Sequence, residues 1–117
     1  MKKAFYLETC STCKRILGEL KLDSSWEMRE IKSEGISPEE LDNMHGITQS
    51  YEALFSKRAM KFRSLGLNEM TLSEKDYRQY LLEEYTFLKR PVFVDGDKIF
   101  VGNAKKIVEA LKQHIKG

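Results

Sequence analysis

Cysteine, proline and tryptophan are scarce in this chain: two, two and one among 117 residues. The two cysteines, Cys10 and Cys13, share one short stretch, so they cannot form the bridge framework that small secreted domains use, and nothing resembles a signal peptide. A reducing, cytoplasmic setting is expected. With 41% hydrophobic residues the chain is long enough for one domain over 1–117 to bury a core, so folding does not call for disulfides. Long apolar runs are missing too. None approaches the about 20 residues a membrane helix needs, so a soluble protein with no membrane contact is expected. Nor does one sign of charge dominate: 20 Lys plus Arg stand against 18 Asp plus Glu, a net charge of +2. Such a balance gives no reason to expect direct nucleic-acid binding, and any anion site must be local. Repeats, low-complexity stretches and linkers are also missing, and a monomer is expected.

What is present has a clear order. Ala4 to Leu7 is a short apolar run that reads as a buried strand. Cys13, Ile16, Leu17 and Leu20 then fall at i, i+3, i+4 and i+7, one face of a helix starting near Ser11. Trp26 to Glu30 suits a second, parallel strand. Ser37-Pro38-Glu39-Glu40 combines an N-cap, a proline at the first helical position and a capping-box glutamate. Short helices are expected over Tyr51 to Phe55 and over Ala59 to Leu65, the latter stopped by Gly66. Thr71 to Glu74 reads as a further capping signal. It would open a helix to about Tyr85 with Tyr77, Leu81, Leu82 and Tyr85 on its inner face. "PVFVDGDKIFVGN" reads as a β-hairpin around an Asp-Gly turn. Asn103 would cap a last helix carrying Ala104, Ile107, Val108, Leu111 and Ile115 at helical spacing.

The order is β-α-β, a helical block over about 35–85, then β-β-α. It predicts an α/β, thioredoxin-like fold: a mixed four-stranded sheet with helices on both sides, a helical insertion between its halves, and an active loop after the first strand. Pro91 fits this order. A proline at a strand start needs no ladder donor, and an X-Pro bond is where a cis peptide costs least, about 1 kcal/mol. In thioredoxin-like folds a cis proline at this point faces the cysteine loop, and Arg90-Pro91 is expected to be cis.

In that setting the two thiols should differ. Cys10 lies at the helix N-terminus, where unpaired N–H groups and the helix dipole favour an anion, with Lys14 and Arg15 close behind. It is the candidate thiolate nucleophile. Cys13, one turn inside on the apolar face, is the candidate resolving thiol. The alternative is a pair of ordinary buried cysteines. A zinc site would need about four ligands, and the only histidines, His45 and His114, have no ligand-like spacing to the pair, so no metal is expected. Arg90, directly before Pro91, could hold a thiolate or an oxyanion by charge-assisted hydrogen bonds. Arg58 and Arg63 suit such a role or a solvated basic face beside Lys57 and Lys61.

"CSTCKR", "SKRAMKFRSLGL" and "LKRPVFVDGDKIFVGN" occur in sequence order over almost the whole chain. Through them the chain resembles the arsenate reductase (ArsC)/Spx family of thioredoxin-fold proteins. The resemblance implies a nucleophilic Cys10 and a basic pocket that includes Arg58 and Arg90. Lys14, Arg15, Arg58 and Pro91 are the candidate contacts to substrate or anion, and Cys10, Cys13 and Arg90 the candidate catalytic set. It implies no bound cofactor; electrons would come from glutathione, a glutaredoxin or a thioredoxin.

The chain also departs from the family pattern. Glutaredoxin-dependent arsenate reductases have a histidine four residues before the reactive cysteine, an arginine four after it and an arginine near the end of the hairpin. Tyr6, Lys14 and Val101-Gly102 stand at those places. A second cysteine such as Cys13 is commonly absent from them and brings the chain nearer to Spx, the regulators that use this fold to bind RNA polymerase. Their loop glycine, before the arginine matching Arg58, corresponds here to Ser50, with Gly46 nearby. Two functions are therefore expected in order. The first is a thiol-dependent reductase acting on a protein disulfide, a small thiol adduct or an oxyanion such as arsenate. The second is a redox-sensing regulator that contacts RNA polymerase.

Overall fold

The computed structural model describes residues 2–117. β1 (Lys2–Tyr6) pairs on both sides, parallel with β2 (Glu27–Glu30) and antiparallel with β3 (Val92–Asp95), and β3 pairs antiparallel with β4 (Lys98–Val101). The sheet order β2-β1-β3-β4 is the mixed four-stranded arrangement expected of the thioredoxin-like fold. The parallel pair needs a crossover, and α1 (Ser11–Leu20) supplies it.

The chain divides into two compact units: Met1–Gly35 with Arg90–Gly117, and Ile36–Lys89. In the first, Ala4 and Phe93 sit opposite each other in the β1–β3 register. They form one buried cluster with Ile16 and Leu20 of α1, Trp26, and Val108 and Leu111 of α6 (Lys105–Lys116). Trp26 meets Phe93 edge-on at a centroid distance of 5.9 Å. The spacing of α1's apolar residues therefore does more than bury a stripe. It docks the helix on the sheet and fixes where its N-terminus, with Cys10, must lie. Lys3 is buried by its strand position and meets Glu27 Oε2 at 2.9 Å, its register partner on β2.

The second unit holds α3 (Pro38–Thr48), α4 (Met60–Ser64) and α5 (Glu74–Glu83). Its core centres on Phe55, stacked on Phe87 at 4.7 Å and tilted against Tyr77 at 5.0 Å. A backbone bridge ties the same region, with Ser56 N donating to Phe87 O at 2.6 Å and Lys89 N to Leu54 O at 2.8 Å. Arg78 of α5 grips Asp42 of α3 with two hydrogen bonds, 2.8 and 3.0 Å long. No helix among the described residues is long and apolar enough to cross a membrane.

Several local expectations are corrected. β1 covers Lys2–Tyr6, starting earlier than Ala4, because Lys2 and Lys3 already pair with β3. The cap of α5 is Ser73, which accepts from Asp76 N while Asp76 receives Ser73 N; Thr71 lies outside the helix. That helix ends at Glu83, and a 3₁₀ turn takes Tyr85–Phe87. The segment 51–55 holds only a 3₁₀ turn, Glu52–Leu54. The hairpin loop is Gly96-Asp97, since Asp95 still pairs with Lys98; Gly96 supplies a φ of 60° at its first position. Asn103 does not cap α6: the N-cap is Ala104, which is exposed and offers no side-chain bond. α2 (Ile31–Glu34) carries no capping signal in the sequence, because its cap is Glu30, a residue type that rarely caps; Glu30 Oε1 accepts from Ser33 N at 2.7 Å.

Candidate functional site

Strand β1 ends at Tyr6, and Leu7 O accepts Cys10 N at 3.0 Å, closing a turn that delivers Cys10 to the N-cap of α1. Cys10 has extended backbone angles there, while its carbonyl already accepts Lys14 N at 3.1 Å, the first intrahelical bond. Cys10 is part-exposed and Cys13 buried, and both are free thiols. The Arg90-Pro91 peptide is cis, Arg90 is half-buried and Pro91 buried.

The two thiols are driven in opposite directions. Burial raises the Cys10 pKa, but hydrogen bonds from the Cys13 backbone, the Cys13 thiol and the Thr12 backbone, together with the positive charge of Arg90, outweigh it and leave the group lowered. Those N–H groups are the orphan donors of a helix start, which is why a sulfur at the N-cap is stabilised as an anion. Burial pushes the Cys13 thiol up to about 11. A backbone N–H at Leu7 and the Arg90 charge oppose that rise; the bond to Cys10 and the charge of Cys10 reinforce it.

Arg90 is thus the cation that acts on both sulfurs. Arg15 instead turns along its own helix to Glu19, Nη1 to Oε2 2.9 Å, and Glu19 also receives Lys112 Nζ at 2.7 Å. Lys14 is exposed. Arg58 lies in the second unit, where it too is exposed. Glu8, Glu30 and Glu34 surround Tyr6: burial, then these carboxylates, raise its phenol. Glu30 Oε2 accepts Glu8 N at 2.9 Å, which holds that acid against the loop before Cys10. Neither this acidic neighbourhood nor the Thr12 and Leu7 backbone donors is legible in the sequence. An N–H carries no residue-type signal, and Glu30 is 22 positions from Glu8 in the chain. Among the described residues no group of three or more His, Cys, Asp and Glu side chains could hold a metal ion.

The family model described as ArsC family matches residues 5–111. The chain belongs to the ArsC family. The match spans the cysteine turn, the whole Ile36–Lys89 unit and the hairpin. Among curated relatives, the regulatory protein MgsR of Bacillus subtilis (strain 168) is 25% identical over 96 residues, 80% of this chain and 76% of the relative. Among solved structures, one from Staphylococcus aureus COL is 27% identical with a TM-score of 0.73, covering 94% of this chain and 97% of that one. An arsenate reductase from Vibrio cholerae is 15% identical with a TM-score of 0.75, covering 95% and 97%. At that identity the likeness is one of fold. ArsC-family membership therefore coexists here with an arsenate reductase-like backbone and a regulator among the relatives by sequence.

Proposed function

We propose that this ArsC-family protein is a cytoplasmic thiol-disulfide oxidoreductase, one functional domain over residues 1–117, with Cys10 as nucleophile, Cys13 as resolving thiol and Arg90 as the cation that holds the Cys10 thiolate. The observation that carries the reading is the placement of two free thiols one helical turn apart, Cys10 part-exposed at the N-cap of α1 and Cys13 buried, which lowers the first and raises the second.

The Cys10 thiolate attacks one sulfur of a substrate disulfide; the new Cys10–sulfur bond forms as the substrate S–S bond breaks, and the departing thiolate takes a proton from water. Cys10 then carries no charge. Two influences that raised Cys13, its bond to the Cys10 sulfur and the Cys10 charge, disappear, while Arg90 still lowers it. Cys13 loses its proton to water, attacks Cys10, and releases the second substrate thiolate, which is protonated in turn. The substrate gains two electrons and the protein holds a Cys10–Cys13 disulfide. Two molecules of glutathione, or the dithiol of a glutaredoxin or thioredoxin, return it to the reduced form.

A disulfide or glutathione adduct fits better than arsenate. Of the expected cations, Arg15 is committed to Glu19, and the place of the family histidine holds Tyr6 among carboxylates. Arg58 is exposed within the Ile36–Lys89 unit and in no ion pair among the described residues. Turnover of a glutathionylated peptide and of arsenate, each with glutaredoxin or thioredoxin as donor, tests the reading. Reduction of the peptide that Cys10→Ser abolishes is expected; no turnover of either substrate would remove it. The second reading, a redox-responsive regulator, is favoured by the relation to MgsR. RNA polymerase retained by the reduced or the oxidised form alone would support it.

A further inference from the structure

We infer that Asn103 is a positioning residue for Arg90, and through it sets the reactivity of Cys10. The inference rests on the reading of Cys10 as a thiolate held by Arg90.

Asn103 has the composition of a helix cap and does not serve as one, since α6 starts from Ala104 without any side-chain bond. Its amide goes elsewhere: Asn103 Nδ2 donates to the carbonyl of Arg90 at 3.5 Å. One residue earlier, Gly102 N donates to the carbonyl of Pro91 at 2.9 Å. Two successive carbonyls, of Arg90 and Pro91, are thus held by two successive residues at the end of β4. Gly102 has a φ of 89°, a left-handed conformation that turns the chain there and suits glycine.

The consequence is electrostatic. The Arg90 charge lowers both cysteines. That influence depends on distance, and a guanidinium at the tip of a long side chain moves through a wide arc when its peptide rotates. Restraining the Arg90 carbonyl limits that rotation. Asn103 need not touch a sulfur or a substrate to act.

The test is the rate of Cys10 alkylation by iodoacetamide against pH, with thermal melts and Trp26 fluorescence as folding controls. Asn103→Ala should move the midpoint upward and slow the reaction near neutral pH by about twofold, the low end of the equilibrium factor of one neutral hydrogen bond, because this one is exposed and 3.5 Å long. Asn103→Leu, which keeps bulk without a donor, should do the same and serves if the alanine variant is unstable. Asn103→Gln, which keeps the amide, should recover part of the rate. In an Arg90→Ala background Asn103→Ala should change nothing further. A profile for both Asn103→Ala and Asn103→Leu that superimposes on the parent, while Arg90→Ala shifts it, overturns the inference and leaves the role of Arg90 standing. An Asn103→Ala effect of full size without Arg90 overturns it as well. No shift with Arg90→Ala removes the underlying reading itself.

Discussion

Cys13 donates its thiol hydrogen to the sulfur of Cys10, and this one bond lowers Cys10 while it raises Cys13. A pair of equivalent thiols is thereby split into an anion and its neutral donor. Arg90 acts on both sulfurs in the same direction. The rest of the split comes from burial and helix position: Cys10 at the N-cap is part-exposed, and Cys13 faces the core.

Brief alkylation near neutral pH should label Cys10 well before Cys13. With the folded pKa of Cys10 below its ordinary value, the thiolate persists as pH drops past that value, and the rate falls only through the lowered folded pKa. Cys13, pushed up to about 11, should stay unreactive until strongly alkaline solution. Peptide mass spectrometry after a short pulse reads both sites, and faster labelling of Cys13 would reverse their roles.

Mild oxidation should give an intramolecular Cys10–Cys13 disulfide. The two positions are an N-cap and the third residue of the same helix, a separation compatible with the about 4.4–6.8 Å Cα window that a bridge tolerates. A non-reducing gel with intact mass distinguishes a monomer lighter by two hydrogens from a cross-linked dimer. Dimer alone would exclude the internal couple.

Arg90→Ala should move the Cys10 reactivity midpoint upward and slow the reaction near neutral pH, since the Arg90 charge is one of the influences that lower that thiol. Arg15→Ala should leave the Cys10 profile nearly unchanged, because Arg15 is spent on Glu19 at 2.9 Å. Alkylation rates across pH, with melts for folding, compare the two. Equal effects would contradict the separation between them.

Acid should weaken the Ile36–Lys89 unit through Asp42. The Arg78 guanidinium and then the Tyr51 hydroxyl hold its carboxyl down to about 2, with a smaller contribution from the charge of His45. A depressed folded pKa gives stability that is present above the ordinary value of 3.8 and is lost as pH falls from there through about 2. Asp42→Asn should lower the melting temperature at neutral pH and make the loss between pH 4 and 2, the window those two values set, shallower. Parallel curves for parent and variant would show that Asp42 is not the group responsible.

Phe93→Ala should destabilise the sheet unit by about 3–5 kcal/mol, the usual cost of emptying a buried aromatic site. Phe93 is 1% exposed and lies edge-on to the sole tryptophan. Denaturant unfolding gives the loss, and Trp26 emission should shift to the red in the folded variant. A cost under about 1 kcal/mol would mean that the core collapses to fill the space.

Local rules written in neighbouring residues were legible without the structure. Ser37-Pro38-Glu39-Glu40 caps α3 as its residue types require, with Ser37 and Glu40 exchanging bonds of 2.9 and 3.1 Å. The spacing of Cys13, Ile16 and Leu20 put all three in the core. The β-α-β and β-β-α order was enough for the four-stranded mixed sheet, because a parallel pair needs a crossover and a two-residue loop forces an antiparallel one. The cap of α5 is expected at Thr71 and stands at Ser73; both residue types accept from a helix N–H, so residue type alone does not locate the cap. Asn103 shows the same limit: only the arrival of the Arg90 carbonyl, 13 residues away in the chain, decided where its amide would go. Arg15 and Arg90 mark the boundary most clearly. Arg15 is near the cysteine loop in the chain and Arg90 is far from it. An exposed side chain on a helix takes the carboxylate one turn along, as Arg15 takes Glu19, whereas Arg90 is carried to the sulfurs by the pairing of β1 with β3. Electrostatics depends on distance through space, and that distance exists only once the sheet has formed.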